Sequence, residues 1–248
     1  MTEDERIAGK KAELDALRPV SGPSLKALDA WYDVELTYTS NALEGNTLTR
    51  SETAIVLEKG FTVSGKPLKD HLEAIGHRDA LAYVRELGTD HEGPVREADV
   101  RNMDRLVLQK IDPDEAGRYS KHGRVISGSS LVLPSPAEIP SRMGDFTRWL
   151  GTAPRTPEAA FDAHEGLVTI HPFSDGNGRT ARLLMNLLLL KTGYPPVVIR
   201  PEDRPAYHDS LEAVQIRDDR SAYHRFMKVR LESALDHHLE ILKRGLDQ

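Results

Sequence analysis

The chain has 248 residues, 39% hydrophobic and 29% charged, which is enough length to bury one good core in an ordinary soluble protein. Its 33 basic and 39 acidic residues leave a net charge of −6 with no long block of one sign, so DNA or RNA is not expected as a main partner. Cysteine is absent, which excludes disulfides and thiolate metal sites; the charged start Met1-Thr2-Glu3-Asp4-Glu5-Arg6 and the shortness of the longest apolar run, Leu187 to Leu190, point to a cytoplasmic protein with no membrane contact.

Apolar residues recur at spacings of three and four while alternating runs are scarce, so the fold class expected is mainly α. Thr2 and Glu5 can form a capping box ahead of Ile7, Leu14 and Leu17, with Pro19 ending that helix. A second helix carries Leu25, Leu28, Tyr32 and Leu36 and ends near Gly45. Pro94 is expected to open a helix that runs to about Lys110. The stretch from Arg124 to Leu133 has β-branched residues on either side of a Gly-Ser turn, so it reads as a β-hairpin closed by Pro134, Pro136 and Pro140.

Thr156 as N-cap and Pro157 at the first helical position begin a helix with Ala159, Ala163, Leu167 and Ile170 on one face. A strongly apolar helix, expected over Arg179 to Thr192, ends at Gly193 and Pro195 and should be the central one. In the tail from Pro205, Met227, Leu231, Leu235, Leu239 and Leu242 form a stripe suited to packing on the core, with a dimer seam as the other use.

Between the last two internal helices lies His171-Pro172-Phe173-Ser174-Asp175-Gly176-Asn177-Gly178-Arg179-Thr180-Ala181-Arg182. Gly176, Asn177 and Gly178 let the backbone turn and aim several N–H groups one way at a helix start, a receptor for phosphate oxygens. Arg179 and Arg182 share one face of the first turn, where two cations make sense around an anion. Asp175 is a hard oxygen donor suited to Mg²⁺ bridging two phosphates, and His171 can take a proton near neutral pH. Phe173 reads as a core anchor for the loop. A metal hydrolase built on His164, His171 and Asp175 is a competing reading, as is a non-catalytic module that senses nucleotide.

The twelve residues resemble the signature of the Fic-domain family, His-Pro-Phe-x-Asp/Glu-Gly-Asn-Gly-Arg with a second Arg three residues on. That resemblance implies a Fic-type helical bundle with a small β-hairpin flap beside the active-site loop. It also implies that His171 deprotonates a target hydroxyl, which attacks the α-phosphate of ATP. Asp175 would bind Mg²⁺, and Gly176, Asn177, Gly178, Arg179 and Arg182 would hold the phosphates. The flap would pair with an extended target segment, although Leu131 and Leu133 stand where many members carry histidine and proline.

Upstream, Ser40-Asn41-Ala42-Leu43-Glu44-Gly45 is similar to the family's inhibitory motif, with Ser40 and Glu44 on one helical face. By that likeness Glu44 pairs with Arg182 and displaces the γ-phosphate, and Ser40 fixes the helix, with Asn177 as its expected partner. The organisation implied is an N-terminal helical region, 1–93, with the inhibitory motif at 40–45; a catalytic core, 94–204; and C-terminal helices, 205–248. The activity implied is protein adenylyltransfer from ATP and Mg²⁺ to a Ser, Thr or Tyr of a target protein, held off by Glu44. Removal of AMP by the same site and transfer of another nucleotide are the alternatives, and self-modification and a homodimer are both compatible with it.

Overall fold

The computed structural model describes residues 2–18, 22–125 and 131–246. Ten α-helices are described, in chain order α1 (Glu3–Ala16), α2 (Pro23–Leu43), α3 (Arg50–Ala54), α4 (Leu68–Thr89), α5 (Glu97–Leu108), α6 (Ile139–Leu150), α7 (Pro157–Ile170), α8 (Asn177–Lys191), α9 (Arg204–Arg217) and α10 (Ser221–Leu246). A π-helical turn, Ile55–Lys59, extends α3, and a 3₁₀ turn, Pro201–Asp203, leads into α9.

α8 is the axis of the molecule. Ala181, Leu183, Leu184, Met185, Leu187 and Leu189 are buried around its circumference, as expected for a helix covered on every side. One core cluster joins α2, α4, α5, α6 and α7 to α8 through Leu36, Leu81, Met103, Met143, Leu167 and Leu184. A second joins α1, α7, α9 and α10 to its other side through Leu14, Phe161, Met185, Leu211 and Leu231. The stripe Met227, Leu231, Leu235, Leu239 and Leu242 is buried within this second cluster, so its apolar face is spent inside the chain rather than on a dimer seam.

Local signals account for several boundaries. Thr2 and Glu5 form the reciprocal capping box, and Thr156 Oγ1 accepts from Ala159 N at the start of α7. Gly45 takes a φ of 93° just past α2, the left-handed turn that ends a helix. Other boundaries differ from expectation. α5 begins at Glu97 instead of Pro94, because Val95 is buried and the Asp99 carboxylate accepts from Arg96 N, placing the cap three residues on. α8 begins at Asn177, two residues earlier than expected.

The hairpin expected over 124–133 has its centre, residues 126–130, outside the described residues. Its flanks carry no strand, and no named strand occurs among the described residues; the one β-bridge described pairs Tyr119 with Phe173, antiparallel. Val125 and Val132 are 88% and 90% exposed, so these flanks have no surface against which a two-stranded ribbon could bury a face.

α4 and α5 approach closely at Gly76, where a Cβ would lie 2.9 Å from the carbonyl oxygens of both Leu106 and Val107. These are backbone atoms of a packed helix and cannot swing aside. Gly76→Ala is expected to destabilise the fold by about 1–3 kcal/mol through overpacking, read as a melting temperature several degrees lower. An unchanged melting temperature would show that the two helices separate freely.

Candidate active site

The C-terminus of α7 and the N-terminus of α8 are joined by a reversal of six residues. His171 caps α7 in the left-handed region at φ 52°, an uncommon conformation for a residue with a side chain and one that marks stored strain. Gly176 starts α8 at φ 77°, and a Cβ there would sit 2.9 Å from Asp104 Oδ1. Glycine is needed there on both counts.

Asn177 clamps the reversal. Its Oδ1 accepts from Phe173 N and its Nδ2 donates to Phe173 O, both at 2.9 Å, with the side chain buried. Phe173 itself is fully buried, the anchor expected of it. Ser120 N donates to Pro172 O at 2.9 Å and Arg124 Nη1 to Phe173 O at 2.7 Å, which ties the segment after α5 along the loop's edge.

The first-turn N–H groups of α8 have no acceptor within their own helix and face the turn of Gly176 and Gly178. Arg179 is buried, with Nη2 3.2 Å from Asp175 Oδ1 and Nη1 3.2 Å from Glu73 Oε1 of α4. The latter is an ion pair without hydrogen-bond geometry, and Arg179 Nε has no partner. Asp175 is half exposed; burial pushes its carboxyl up, but the Arg179 guanidinium and the Gly176 N–H hold it below the usual carboxylate range. Only its Oδ1 is engaged, by Gly176 N and Arg179, so one hard oxygen faces outward. A single carboxylate of this kind fits Mg²⁺ that arrives on phosphate oxygens.

Arg182 is buried on the next turn. Nε donates to Ser40 Oγ at 2.9 Å, and Nη2 donates to Ser40 O at 2.9 Å and to Glu44 Oε1 at 2.7 Å. Ser40 therefore meets Arg182 and not the expected Asn177, because both polar ends of the Asn177 amide are already used by Phe173. Glu44 keeps its side chain 39% exposed at the open edge of the site. A Cβ on Gly178 would lie 2.3 Å from Glu44 Oε1, so the carboxylate rests directly on the turn of amides. Burial pushes its carboxyl up, and the Arg182 and Arg179 cations together hold it below the usual carboxylate range, so it stays ionised.

His171 Nδ1 lies 3.2 Å from Val168 O, so Nδ1 carries the proton and Nε2 offers a lone pair. Burial holds the ring's pKa below its usual value. A proton acceptor thus ends α7, six residues before the amides that start α8, and two guanidiniums stand on the first turns of that helix. His164 is elsewhere: its Nε2 and Nδ1 each lie 2.7 Å from a tyrosine hydroxyl, of Tyr207 and Tyr223, so a metal centre on His164, His171 and Asp175 does not form.

Sequence reasoning missed Glu73, which pairs with Arg179; Asp104, whose Oδ2 accepts from Gly117 N beneath the loop; Arg124; and Tyr207. Each comes from a distant helix or loop, and nothing at the sequence level marks it.

The Fic/DOC family profile matches residues 94–189. A Fic domain containing signaling protein from Bacteroides thetaiotaomicron is 31% identical, superposes with a TM-score of 0.87, and is covered over 98% of its chain by 96% of this one. A Fic-1 fragment from Caenorhabditis elegans is also 31% identical, with a TM-score of 0.82, covering 95% of this chain and 69% of that one. The chain belongs to the Fic family. Two relatives named protein adenylyltransferase Fic, from Nematostella vectensis and Aedes aegypti, are 36% and 35% identical over 241 residues each, 95% of this chain. The matches take in 55% and 47% of those proteins, so the chain spans about half the length of the curated relatives it matches.

Replacing Asn177 with alanine removes both bonds to Phe173 and leaves a buried amide unpaired. Loop stability should fall by about 1–3 kcal/mol, with exchange of the Phe173 amide hydrogen faster on the order of 10-fold or more. Unchanged exchange would mean that the clamp does not hold the loop.

Proposed function

We propose that the protein is a self-inhibited adenylyltransferase that moves AMP from Mg-ATP to a hydroxyl of a target protein. The observation that carries the reading is Glu44 seated on Arg182 and against Gly178, at the helix start that follows His171 and its bare Nε2 by six residues. The names of the relatives support the same reaction class.

In this reading the Asn177 and Gly178 amides at the start of α8 hold phosphate oxygens, Asn177 through its backbone only, while Gly176, whose N–H is taken by Asp175 Oδ1, supplies the turn. Arg179 adds its unpartnered Nε, and Arg182 takes the γ-phosphate. Asp175 would hold magnesium, whose charge offsets that of the phosphates. His171 Nε2 takes the proton of a Ser, Thr or Tyr hydroxyl as its oxygen bonds to the α-phosphorus; the bond to the β-phosphate breaks, and pyrophosphate leaves with the electron pair.

Glu44 is the brake. While it neutralises Arg182, triphosphate cannot seat its last phosphate and the α-phosphate sits out of line, a misplacement that costs on the order of 100-fold in rate. Incubated with α-labelled ATP, Mg²⁺ and a cell lysate, Glu44→Gly should transfer label faster than the parent protein by about that factor. The double variant Glu44→Gly/His171→Ala should lose about 10²–10⁴ of it. Equal labelling by the two variants would remove His171 from the mechanism. If Glu44→Gly instead lost an ability to strip AMP from a labelled protein, removal would be the main reaction, with Glu44 orienting water.

The same variant has a defined pH profile. His171 must be unprotonated, and burial holds its pKa below the ordinary 6.5, so the base is free at neutrality. The rate of Glu44→Gly should be level near pH 7 and fall on acidification with a midpoint below 6.5. A midpoint above 6.5 would contradict the assignment.

A further inference from the structure

Glu44 lies one residue past the end of α2, and the residue that follows it is a glycine at φ 93°. Glycine is the freest of residues, so the turn after Glu44 needs a hold from outside α2. Asn46 provides it. Its Oδ1 accepts from Leu48 N at 3.0 Å, which settles the orientation of the amide, and its Nδ2 donates to Asp70 O at 3.0 Å and to Glu73 Oε2 at 2.9 Å. Both hydrogens and the oxygen of the amide are thus used. Asn46 N also donates back to Asn41 O of α2 at 3.1 Å.

Glu73 is 6% exposed, and its two oxygens serve different parts of the molecule. Oε2 takes the amide of the turn behind Glu44, while Oε1 stands 3.2 Å from Arg179 Nη1 on α8 and 3.6 Å from Lys69 Nζ. A buried carboxylate stays with its cation, because leaving either one unpaired at that depth is costly. Arg179 is itself 1% exposed, so Glu73 is fixed to α8 through it. Arg182, which Glu44 grips at 2.7 Å, stands on the next turn of the same helix. Two carboxylates, one at the end of α2 and one on α4, therefore hold neighbouring arginines of α8, and the Asn46 amide is the strut between them.

We propose that Asn46 and Glu73 are positioning residues of the brake: the Glu73 carboxyl takes Arg179 on one oxygen and the turn behind Glu44 on the other, and so keeps Glu44 in register with Arg182. This rests on the reading of Glu44 as the brake. Among the described residues Asn46 makes no hydrogen bond to the loop of His171 or to α8, so its loss reaches the site only through the turn and Glu73. Both residues lie before the segment 94–189 matched by the family profile, so that segment does not by itself contain the parts that set the brake.

Asn46→Ala removes the strut. In the otherwise parent protein, incubated with α-labelled ATP, Mg²⁺ and a cell lysate, it should raise label transfer by about 5–10-fold. In Glu44→Gly, which has no brake left to position, the same substitution should change transfer by less than about 2-fold. Asn46→Asp keeps the acceptor for Leu48 N but sets an oxygen against Glu73, and should raise transfer in the parent by at least as much as alanine does. A residue that only stabilised the fold would shift both backgrounds alike; equal changes in the two, or an unchanged rate in the parent, overturn the proposal. A second readout needs no nucleotide. In the ligand-free protein, ¹⁵N NMR should show the Arg182 guanidinium protons exchanging faster by about 3-fold or more in both Asn46→Ala and Glu73→Gln, because Glu44 holds them less closely. Unchanged exchange in Asn46→Ala overturns the proposal, and faster exchange there with none in Glu73→Gln leaves the turn to Asp70 O and overturns the part given to Glu73. If neither the parent nor Glu44→Gly transfers label, the proposed function falls, and the exchange measurement still decides whether Asn46 and Glu73 set the contact of Glu44 with Arg182.

Discussion

A guanidinium buried in the middle of a protein must be satisfied on every side, and Arg182 imposes that requirement on the rest of the chain. Its five donors cannot be deprotonated, and leaving one unpaired at this depth costs more than a neutral hydrogen bond returns. Burial opposes the charge and the Glu44 carboxylate restores it. To supply acceptors, α2 must lie against α8 so that Ser40 and Glu44 reach the cation. The two core clusters on opposite sides of α8 are the apolar counterpart of that convergence.

The contacts that α2 makes with this cation are unequal. Ser40 is buried and bonds Arg182 through both its hydroxyl and its carbonyl, while the Glu44 carboxylate is 39% exposed and holds by one oxygen. Of the contacts from α2, the one from Glu44 is the shorter and charge-assisted, but it is also the wetter. Arg179 is arranged differently: it is enclosed between Glu73 and Asp175, with Asp104 beneath the loop pushed up to about 8 by burial. A carboxyl raised that far adds little negative charge beside Arg179 near neutrality.

Much of the fold was legible where structure follows from local chemistry. Capping residues placed the starts of α1 and α7, glycine in the left-handed region placed the end of α2, and a dense apolar run marked α8 as the axis. α4 was not foreseen, although it packs directly on α8. Its buried face contains His71, Glu73, Gly76 and His77 among Ala74, Ala80, Leu81 and Val84, so small and polar residues stand where a periodic apolar stripe would announce a helix. Those same residues are what the site draws on, since Glu73 meets Arg179 and His77 lies against Thr37 of α2. The hairpin reading failed at its flanks for the opposite reason, a local β pattern without a surface to cover.

By itself the sequence determined the reversal between α7 and α8 and which side chains and amides gather along it. His171, Asp175, Gly176, Asn177, Gly178, Arg179 and Arg182 fall within twelve positions, and a turn of glycines before a helix start dictates where amides and side chains point. Likeness to a family motif singled out Ser40 and Glu44, but only the tertiary structure showed Glu44 and Arg182, 138 positions apart, in contact, and gave Ser40 to Arg182 instead of Asn177. It also decided the partners of Arg179 and the two tyrosine hydroxyls that enclose His164. The physical reason is range. Backbone conformation is set within a few residues, whereas the partner of a buried charge is whatever the packing of distant helices brings within about 3 Å of it.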